Sequence, residues 1–364
     1  MKPSELRADV GQLIIMGFVG QEMTSALRVA INAMQPGGII LFARNIAGAE
    51  QTWKLLHDCR ASVKETPFLC VDLEGGTVDR LKEIIAPAPP AAEVFSTGKS
   101  KFYRRHGRVI GEQVRALGFN TDFAPVFDLK LPPSQPVLTT RTVSADPNQT
   151  VEYAREFLRG LEDARVIGCG KHFPGLGEAS LDTHHELPSI RKSFKDLWEQ
   201  DLVPYRELRK KIPFCMIAHA NYPEVTGDKL PASLSRKWIE GILRDKIGYK
   251  GLVLADDLEM GGVLAAASIG DAAIQTLKAG SDMFLVCHNE EHVWQTYEAV
   301  LHEAERDKSL AKLIAKRAAR VRDMKKRERA LRGEVDAPNE RTVSKLKDAM
   351  QDFRADVAKA VARA

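Results

Sequence analysis

Short apolar segments recur along the chain, and each is bounded by glycine, proline or asparagine. Eight segments of this kind are present, at 12–18, 38–42, 67–71, 119–127, 165–170, 213–218, 251–255 and 281–286. Most are continuous runs of valine, isoleucine, leucine and phenylalanine and do not alternate with polar residues. Continuous runs are typical of parallel strands that are covered on both faces, so the pattern predicts a buried parallel sheet.

Segments with apolar residues at helical spacing lie between these runs, at 104–117, 151–164, 233–243 and 271–279. Ser233 is the predicted N-cap of the third of them. Strands that alternate with helices over roughly 300 residues predict an α/β protein built as a single (β/α)8 TIM-type barrel. A doubly wound sheet is the competing architecture, but no GxGxxG follows the first strand, which argues against its dinucleotide-binding version.

The character of the chain changes beyond Gly333. Residues 334–339 read as a linker, and 339–364 read as one amphipathic helix rich in alanine and charged residues. We therefore predict a catalytic domain at 1–333 and a C-terminal helical extension at 334–364. The extension is expected to pack on the barrel exterior, with a dimer contact or a partly disordered tail as the alternatives.

The composition mainly argues against certain classes of protein and site. The chain has 364 residues, 44% of them hydrophobic and 28% charged, with a net charge of +4, so no nucleic-acid partner is expected. Its five cysteines are scattered singly without a CxxC pair, which favours reduced thiols in the cytoplasm and argues against a zinc site of that kind. No apolar run approaches the ~20 residues of a membrane helix. We expect a cytoplasmic monomer or weak homodimer without a membrane span.

Polar residues follow the apolar segments, where the carboxyl ends of barrel strands would build an active site. They are Asp72, Asp128, Lys171, His172, His219, Asp256, His288 and Asn289. A satisfied core histidine is the alternative for His219. Arg141, in the loop after the fourth strand, is a planar donor suited to hydroxyls and carboxylates, although an isolated arginine is more often a surface residue.

The segment 171–188 is the densest in titratable groups. Its Asp182-Thr183-His184 triplet allows a carboxylate to orient and charge an imidazole, which is acid/base chemistry. A metal-dependent hydrolase using Asp182, His184 and His185 would need ligands unusually close together on one loop. We therefore expect no metal.

Two pairs of carboxylates stand at predicted strand ends. Strand alternation predicts that Asp256 points into the site while Asp257 caps the next helix or pairs with a basic neighbour. Asp256 could be a nucleophile, a general base or a metal ligand. In the other pair, Asp72 suits sugar hydroxyls, whereas Glu74 is expected to form a salt bridge with Arg80 or another cation.

Six motifs occur in a fixed order, and together they resemble glycoside hydrolase family 3, in particular its cytoplasmic β-N-acetylglucosaminidases that recycle peptidoglycan. The resemblance runs from about residue 10 to residue 330. The motifs are Asp-x-Glu-Gly-Gly-x-Val-x-Arg (72–80), Ala-Pro-Val-x-Asp-Leu (124–129), Arg-x-x-x-x-Asp-Pro (141–147), Lys-His-Phe-Pro-Gly-x-Gly (171–177) with Asp-Thr-His (182–184), Met-x-Ala-His (216–219) and Asp-Asp-Leu-x-Met (256–260).

The resemblance implies a retaining exo-β-N-acetylglucosaminidase that removes GlcNAc from muropeptides without metal or cofactor. It makes Asp256 the nucleophile and His184 the general acid/base, oriented by Asp182. The positions that hold the GlcNAc hydroxyls are matched by Asp72, Arg80, Arg141, Lys171 and His172, and we add His219 as a substrate-binding candidate.

The chain departs from the family pattern at two positions, and two other functions remain open. Leu176 stands where many relatives carry a histidine, and Thr77 stands where an arginine is often found. These departures bear on the preference for the reducing-side sugar. The alternatives are a β-glucosidase or β-xylosidase of the same family, which usually carries a second domain with the acid/base residue, and a non-catalytic sugar-binding barrel.

Overall fold

A computed structural model describes residues 3–179, 187–264 and 267–363. Its strands are β1 (Ile14–Met16), β2 (Gly38–Ile40), β3 (Phe68–Val71), β4 (Leu73–Gly75), β5 (Val78–Asp79), β6 (Thr121–Asp122), β7 (Cys169–Phe173), β8 (Phe214–Ile217), β9 (Leu252–Asp257) and β10 (Met283–Val286). Its α-helices are Pro3–Gln12, Ser25–Met34, Ala49–Ala61, Ala91–Phe95, Ser100–Ala116, Gln135–Leu138, Pro147–Asp163, Phe194–Glu199, Val203–Leu208, Pro223–Thr226, Gly261–Leu264, Ile269–Ala279, Glu290–Arg306, Lys308–Arg327 and Glu340–Val361. Short 3₁₀ turns span Ala43–Asn45, Pro132–Ser134, Thr139–Arg141, Ala232–Leu234 and Arg329–Leu331, and a π-helix spans Lys237–Lys246.

Eight of the strands form one parallel sheet in the order β6-β3-β2-β1-β10-β9-β8-β7. Parallel bridges from Thr121 to Ile167 and from Val126 to Lys171 join the two edges of this sheet, which closes it. Each predicted apolar segment contains or overlaps one barrel strand, and helices cover the outside. The predicted (β/α)8 barrel is confirmed.

Two irregularities in the ladder lie beside the mouth of the barrel. In β9, Ala255 pairs with Phe284 and Asp257 pairs with Leu285, so Asp256 is one extra residue, as in a β-bulge. In β7 the register against β8 shifts between Gly170 and Phe173. Bulges break the alternation of side chains between the two faces of a sheet and can re-aim them at an active site.

The strands β4 and β5 form a separate antiparallel hairpin at the mouth of the barrel. Its turn uses Gly75 and Gly76, whose φ angles are +86° and +62°. A Cβ atom on Gly75 would lie 2.4 Å from the carbonyl oxygen of Pro89, so this position requires glycine for sterics as well as for conformation. The paired glycines therefore serve a close turn against the chain itself, and this turn fixes Glu74 at the site.

One predicted cap is wrong. The helix expected to begin at Ser233 begins at Lys237, and Ser233 lies in the preceding 3₁₀ turn. The Ser233 hydroxyl is 2.7 Å from Nδ1 of His219, so it bonds to a buried side chain and not to the amides of a helix terminus.

The C-terminal helix Glu340–Val361 packs on the barrel exterior against the helix Ser100–Ala116. The Phe353 ring is stacked 5.6 Å from the His106 ring, and Arg105 Nη1 lies 2.6 Å from Asp356 Oδ2. Burial lowers the pKa of His106 to about 3, so its imidazole is neutral in this interface. The division of the chain into domains at residue 333 stays a prediction. Of the helices in the described ranges, none is both long enough and apolar enough to cross a lipid bilayer.

Candidate active site

A cavity opens at the carboxyl ends of the barrel strands, where the sequence predicts the active site. Its walls include apolar side chains such as Phe42, Met216 and Met260. Most of the predicted site residues of the described chain also border it, and its polar residues are Asp72, Glu74, Arg80, Arg141, Lys171, His172, Asp256, Asp257 and His288. Residues that lie far apart in the sequence thus meet at one mouth.

The wall formed by β3, β4 and β7 is a chain of ion pairs. Lys171 Nζ lies 2.8 Å from Asp72 Oδ1 and 2.6 Å from Glu74 Oε1. Arg141 donates to both oxygens of Glu74, through Nε at 2.8 Å and Nη2 at 2.9 Å. Glu74 therefore does form a salt bridge, as predicted, but its partners are Arg141 and Lys171.

These contacts fix the charges at this wall. Burial acts to raise the pKa of Glu74, but Arg141 and Lys171 hold that pKa well below its usual range. Burial likewise opposes the charge of Lys171, yet Asp72 and Glu74 raise the pKa of its ammonium above its ordinary value. The wall therefore presents a charged donor and a carboxylate acceptor side by side, which suits vicinal sugar hydroxyls.

Glu74→Gln is expected to destabilise the fold by about 3 kcal/mol, because it leaves Lys171 and Arg141 buried without their shared anion. Since the pKa of Glu74 is depressed in the folded state, the stabilisation is present above the ordinary value of 4.5 and declines as the pH falls below it. Urea titrations at pH 7 and pH 4 measure both effects. The difference between the free energies of unfolding at the two pH values should be smaller in the variant than in the wild type.

Asp163→Asn is the matched control, because Asp163 pairs with Arg104 at the surface, where their side chains are 35% and 52% exposed. Its effect should stay within about 1 kcal/mol. Equal losses in the two variants would contradict the central place given to Glu74.

His172 is oriented by Asp128, a residue that the sequence placed at a strand end but to which it assigned no role. Its Nδ1 lies 2.7 Å from Asp128 Oδ2, and the other oxygen, Oδ1, accepts from the amide of Leu176 at 2.7 Å. Asp128 is buried beneath the cavity and fixes both the imidazole and the start of the following loop. Its position at a strand end, within the Ala-Pro-Val-x-Asp-Leu motif, is the feature of the sequence that could have identified it as a functional residue.

Asp256 and Asp257 both border the cavity, so the expectation that only one of them faces it is wrong. The bulge at Asp256 is the physical reason, because it interrupts the alternation on which that expectation rested. Asp257 does make the predicted local contacts. Its Oδ1 accepts from the Glu259 amide at 3.1 Å, and its Oδ2 lies 3.3 Å from His288 Nε2.

The two neighbouring carboxyl groups differ in acidity. Burial acts to raise the pKa of Asp256, but His172 and His219 outweigh it and lower that pKa. Burial, together with the charges of Glu259 and Asp256, raises the pKa of Asp257 to about 7. Asp256 is therefore the anion at neutral pH, as a nucleophile must be, and Asp257 is partly protonated.

His219 does not reach the cavity. It is fully buried, its Nε2 donates to the backbone oxygen of Asp257 at 3.0 Å, and its Nδ1 lies 2.7 Å from the Ser233 hydroxyl. Burial lowers the pKa of His219, while the charge of the neighbouring Asp256 carboxylate acts to raise it. Its placement corrects the expectation of a direct substrate contact, because both ring nitrogens bind the protein and the ring supports β9 from behind.

Arg80 borders the cavity directly after β5. Its guanidinium carbon lies 5.7 Å from the centre of the Phe42 ring. Its Nε is buried and has no hydrogen-bond partner within the described ranges. A buried donor without a partner at a cavity wall is a natural position for a ligand oxygen.

Comparison with known proteins agrees with this geometry. The model of the glycosyl hydrolase family 3 N-terminal domain matches residues 5–324. The chain belongs to glycosyl hydrolase family 3. The match covers all the barrel strands and every polar residue of the cavity.

Two family relatives and two solved structures show how close the similarity is. The chain is 37% identical over 283 residues to a β-hexosaminidase of Bordetella avium (strain 197N). The matched region covers 76% of this chain and 80% of the relative. It is 32% identical over 296 residues to a β-hexosaminidase of Idiomarina loihiensis, covering 80% and 88%.

Among solved structures, a family 3 β-N-acetylglucosaminidase from Paenibacillus sp. str. FPU-7 matches with a TM-score of 0.88 and 31% identity, over 96% of this chain and 68% of that one. Native NagZ from Neisseria gonorrhoeae matches with a TM-score of 0.75 and 27% identity, over 96% and 97%.

The resemblance described above implies an acid/base role for Asp182 and His184, but both lie outside the described residues, as does His185. The geometry of the acid/base pair therefore stays a prediction. Within 3–179, 187–264 and 267–363, no three histidine, cysteine, aspartate or glutamate side chains are grouped so that they could hold a metal ion.

Proposed function

We propose that this protein is a retaining exo-β-N-acetylglucosaminidase, with Asp256 as its nucleophile. The observation that carries the proposal is the environment of Asp256, an ionised carboxylate on the cavity wall whose pKa is lowered by His172 and His219. Family membership and the β-hexosaminidase relatives support the β-N-acetylhexosaminide class of substrate.

In the first step, an Asp256 oxygen forms a bond to the anomeric carbon of the terminal sugar while the bond from that carbon to the leaving oxygen breaks. His184, charged and oriented by Asp182, protonates the leaving oxygen. In the second step the same imidazole takes a proton from water, and the water oxygen displaces Asp256. Two displacements at one carbon retain the anomeric configuration.

The non-reducing sugar is held by the wall opposite Asp256. Lys171 and Asp72 offer a donor and an acceptor to adjacent hydroxyls, and Arg80 offers its unpartnered Nε. Glu74 fixes Lys171 and Arg141, while Asp128 fixes His172. All of these groups belong to the chain itself, so the proposed mechanism assigns no step to a metal or cofactor.

Peptidoglycan fragments are the proposed natural substrate, and the cytoplasm is the proposed location. A cavity with a buried polar floor suits removal of one terminal GlcNAc better than binding along an extended polymer. All five cysteines are buried and unpaired, which agrees with a reducing compartment.

Hydrolysis of nitrophenyl β-GlcNAc, β-glucoside and β-xyloside by the purified protein tests the proposal. We expect turnover of the first alone, with release of β-GlcNAc when the product is followed by NMR from the start of the reaction. Preference for the glucoside or xyloside would establish the alternative family activity. Absence of turnover with retained sugar binding would establish a non-catalytic barrel.

A further inference from the structure

His288 differs from the other polar residues of the cavity in its depth. It follows β10 at the rim, and its side chain is 56% exposed, whereas those of Lys171 and Asp72 are 3% and 17% exposed. An exo-acting enzyme holds the non-reducing sugar at the closed end of its pocket, so the leaving sugar must project toward the mouth. His288 lies on that side of the cavity.

The His288 ring is held in one orientation by a built set of contacts. Arg44 Nη1 lies 3.2 Å from Nδ1, and because arginine only donates, Nδ1 must be the accepting nitrogen. The ring proton is then on Nε2, which lies 3.3 Å from Asp257 Oδ2. The Phe42 ring completes the support, with the two ring centres 5.3 Å apart and the two planes tilted by 32°.

Glu259 fixes the backbone that carries His288. One of its oxygens accepts from the amides of Cys287 and His288, and the other accepts from the Asn289 amide at 3.0 Å and faces His292 Nδ1 at 2.8 Å. The Glu259 side chain is only 7% exposed, so these contacts are made away from bulk water. Three successive amides around one carboxylate leave the loop after β10 little freedom.

We propose that the ring of His288 contacts the reducing-side sugar, with Glu259 as the residue that positions it. This inference rests on the proposed function, since it assigns the second sugar site of the same cavity. The ligand is a pyranose ring whose C–H face packs on the imidazole, as apolar faces of ligands pack on aromatic side chains. His288 takes no part in proton transfer to the leaving oxygen.

The experiment compares two ligands that differ in the sugar at issue. The disaccharide GlcNAc-β-1,4-MurNAc occupies both sugar sites, whereas free GlcNAc, used as a competitive inhibitor, occupies the non-reducing site alone. His288→Ala should lower kcat/KM for the disaccharide about five- to tenfold and leave the Ki of GlcNAc unchanged. His288→Phe keeps a ring and should stay within about twofold of the wild type on both measurements.

Three further variants separate the explanations. Asp72→Asn should raise the Ki of GlcNAc, because Asp72 belongs to the deep wall. His302→Ala, on the exposed face of the helix Glu290–Arg306, should change neither quantity. Glu259→Gln should lower kcat/KM for the disaccharide with the Ki of GlcNAc preserved, which a general loss of folding would not do.

A rise in the Ki of GlcNAc with His288→Ala would place His288 in the non-reducing site and overturn the inference. So would an unchanged kcat/KM for the disaccharide, or a loss with His288→Phe equal to that with His288→Ala. These results would leave the proposed function intact. A wild-type protein that hydrolyses no β-GlcNAc substrate would overturn the proposed function and this inference together.

Discussion

Asp256→Asn is expected to reduce turnover by about 10⁴-fold, because an amide cannot form the glycosyl-enzyme at the anomeric carbon. Within the described chain, Asp256 is the carboxylate at the end of β9 that the two neighbouring histidines, His172 and His219, hold in its ionised form. Steady-state kinetics on nitrophenyl β-GlcNAc measure the loss. A thermal melt close to that of the wild type would show that the fold is retained.

Asp257→Asn is the adjacent control. Asparagine mimics the protonated form, which a pKa of about 7 leaves partly populated at neutral pH, so turnover should remain and the main effect should be on stability. The raised pKa also means that the wild type loses stability from this group as the pH rises through about 7, and the variant should lack that loss. The assignment of the nucleophile is wrong if the two variants show the reverse pattern of activity.

His184→Ala is expected to have the second largest effect, and the effect should depend on the leaving group. A natural disaccharide leaves as a basic alkoxide and needs an acid, so its hydrolysis should be almost abolished. A dinitrophenyl glycoside leaves unaided, so glycosylation of the enzyme should be spared while deglycosylation becomes slow. Stopped-flow measurements should then show a burst of dinitrophenolate followed by a slow steady state.

Asp182→Asn should act in the same direction but more weakly, because it removes the orienting charge and keeps the imidazole. Equal loss on the two substrates in His184→Ala would mean that His184 only positions the sugar. The acid would then have to be sought among other residues at the cavity, and Asp257, with its raised pKa, would be the first to test.

The barrel could be predicted from the sequence because its strands are buried on both faces, and burial leaves an uninterrupted apolar signal. β7 and β9, for instance, overlap the apolar runs 165–170 and 251–255, which lie directly before Lys171-His172 and Asp256-Asp257. The helix near Ser233 was misplaced because a serine before an apolar segment indicates a cap only when its hydroxyl is not claimed by another group. Here a buried histidine, distant in sequence, binds it.

The sequence predicts which residues belong to the site, but it does not predict which of them pair with each other. Strand ends identified Asp72, Lys171 and Asp256, since that rule depends only on topology. Which cations neutralise Glu74, or which carboxylate orients His172, depends on three-dimensional distances between residues as far apart in the sequence as Glu74 and Lys171. His219 was misjudged for the same reason, because a strand-end position does not reveal whether both ring nitrogens are already bonded to the protein.

The bulge in β9 makes the length of that strand as important as its residues. With Asp256 as an extra residue, two consecutive carboxylates of different acidity share one cavity. Deleting Asp256 outright would restore a regular ladder and bring the Asp257 carboxylate into the preceding step of the strand, still attached to the same following loop. A one-residue deletion at this point would therefore exchange one carboxylate for the other without changing any other side chain of β9.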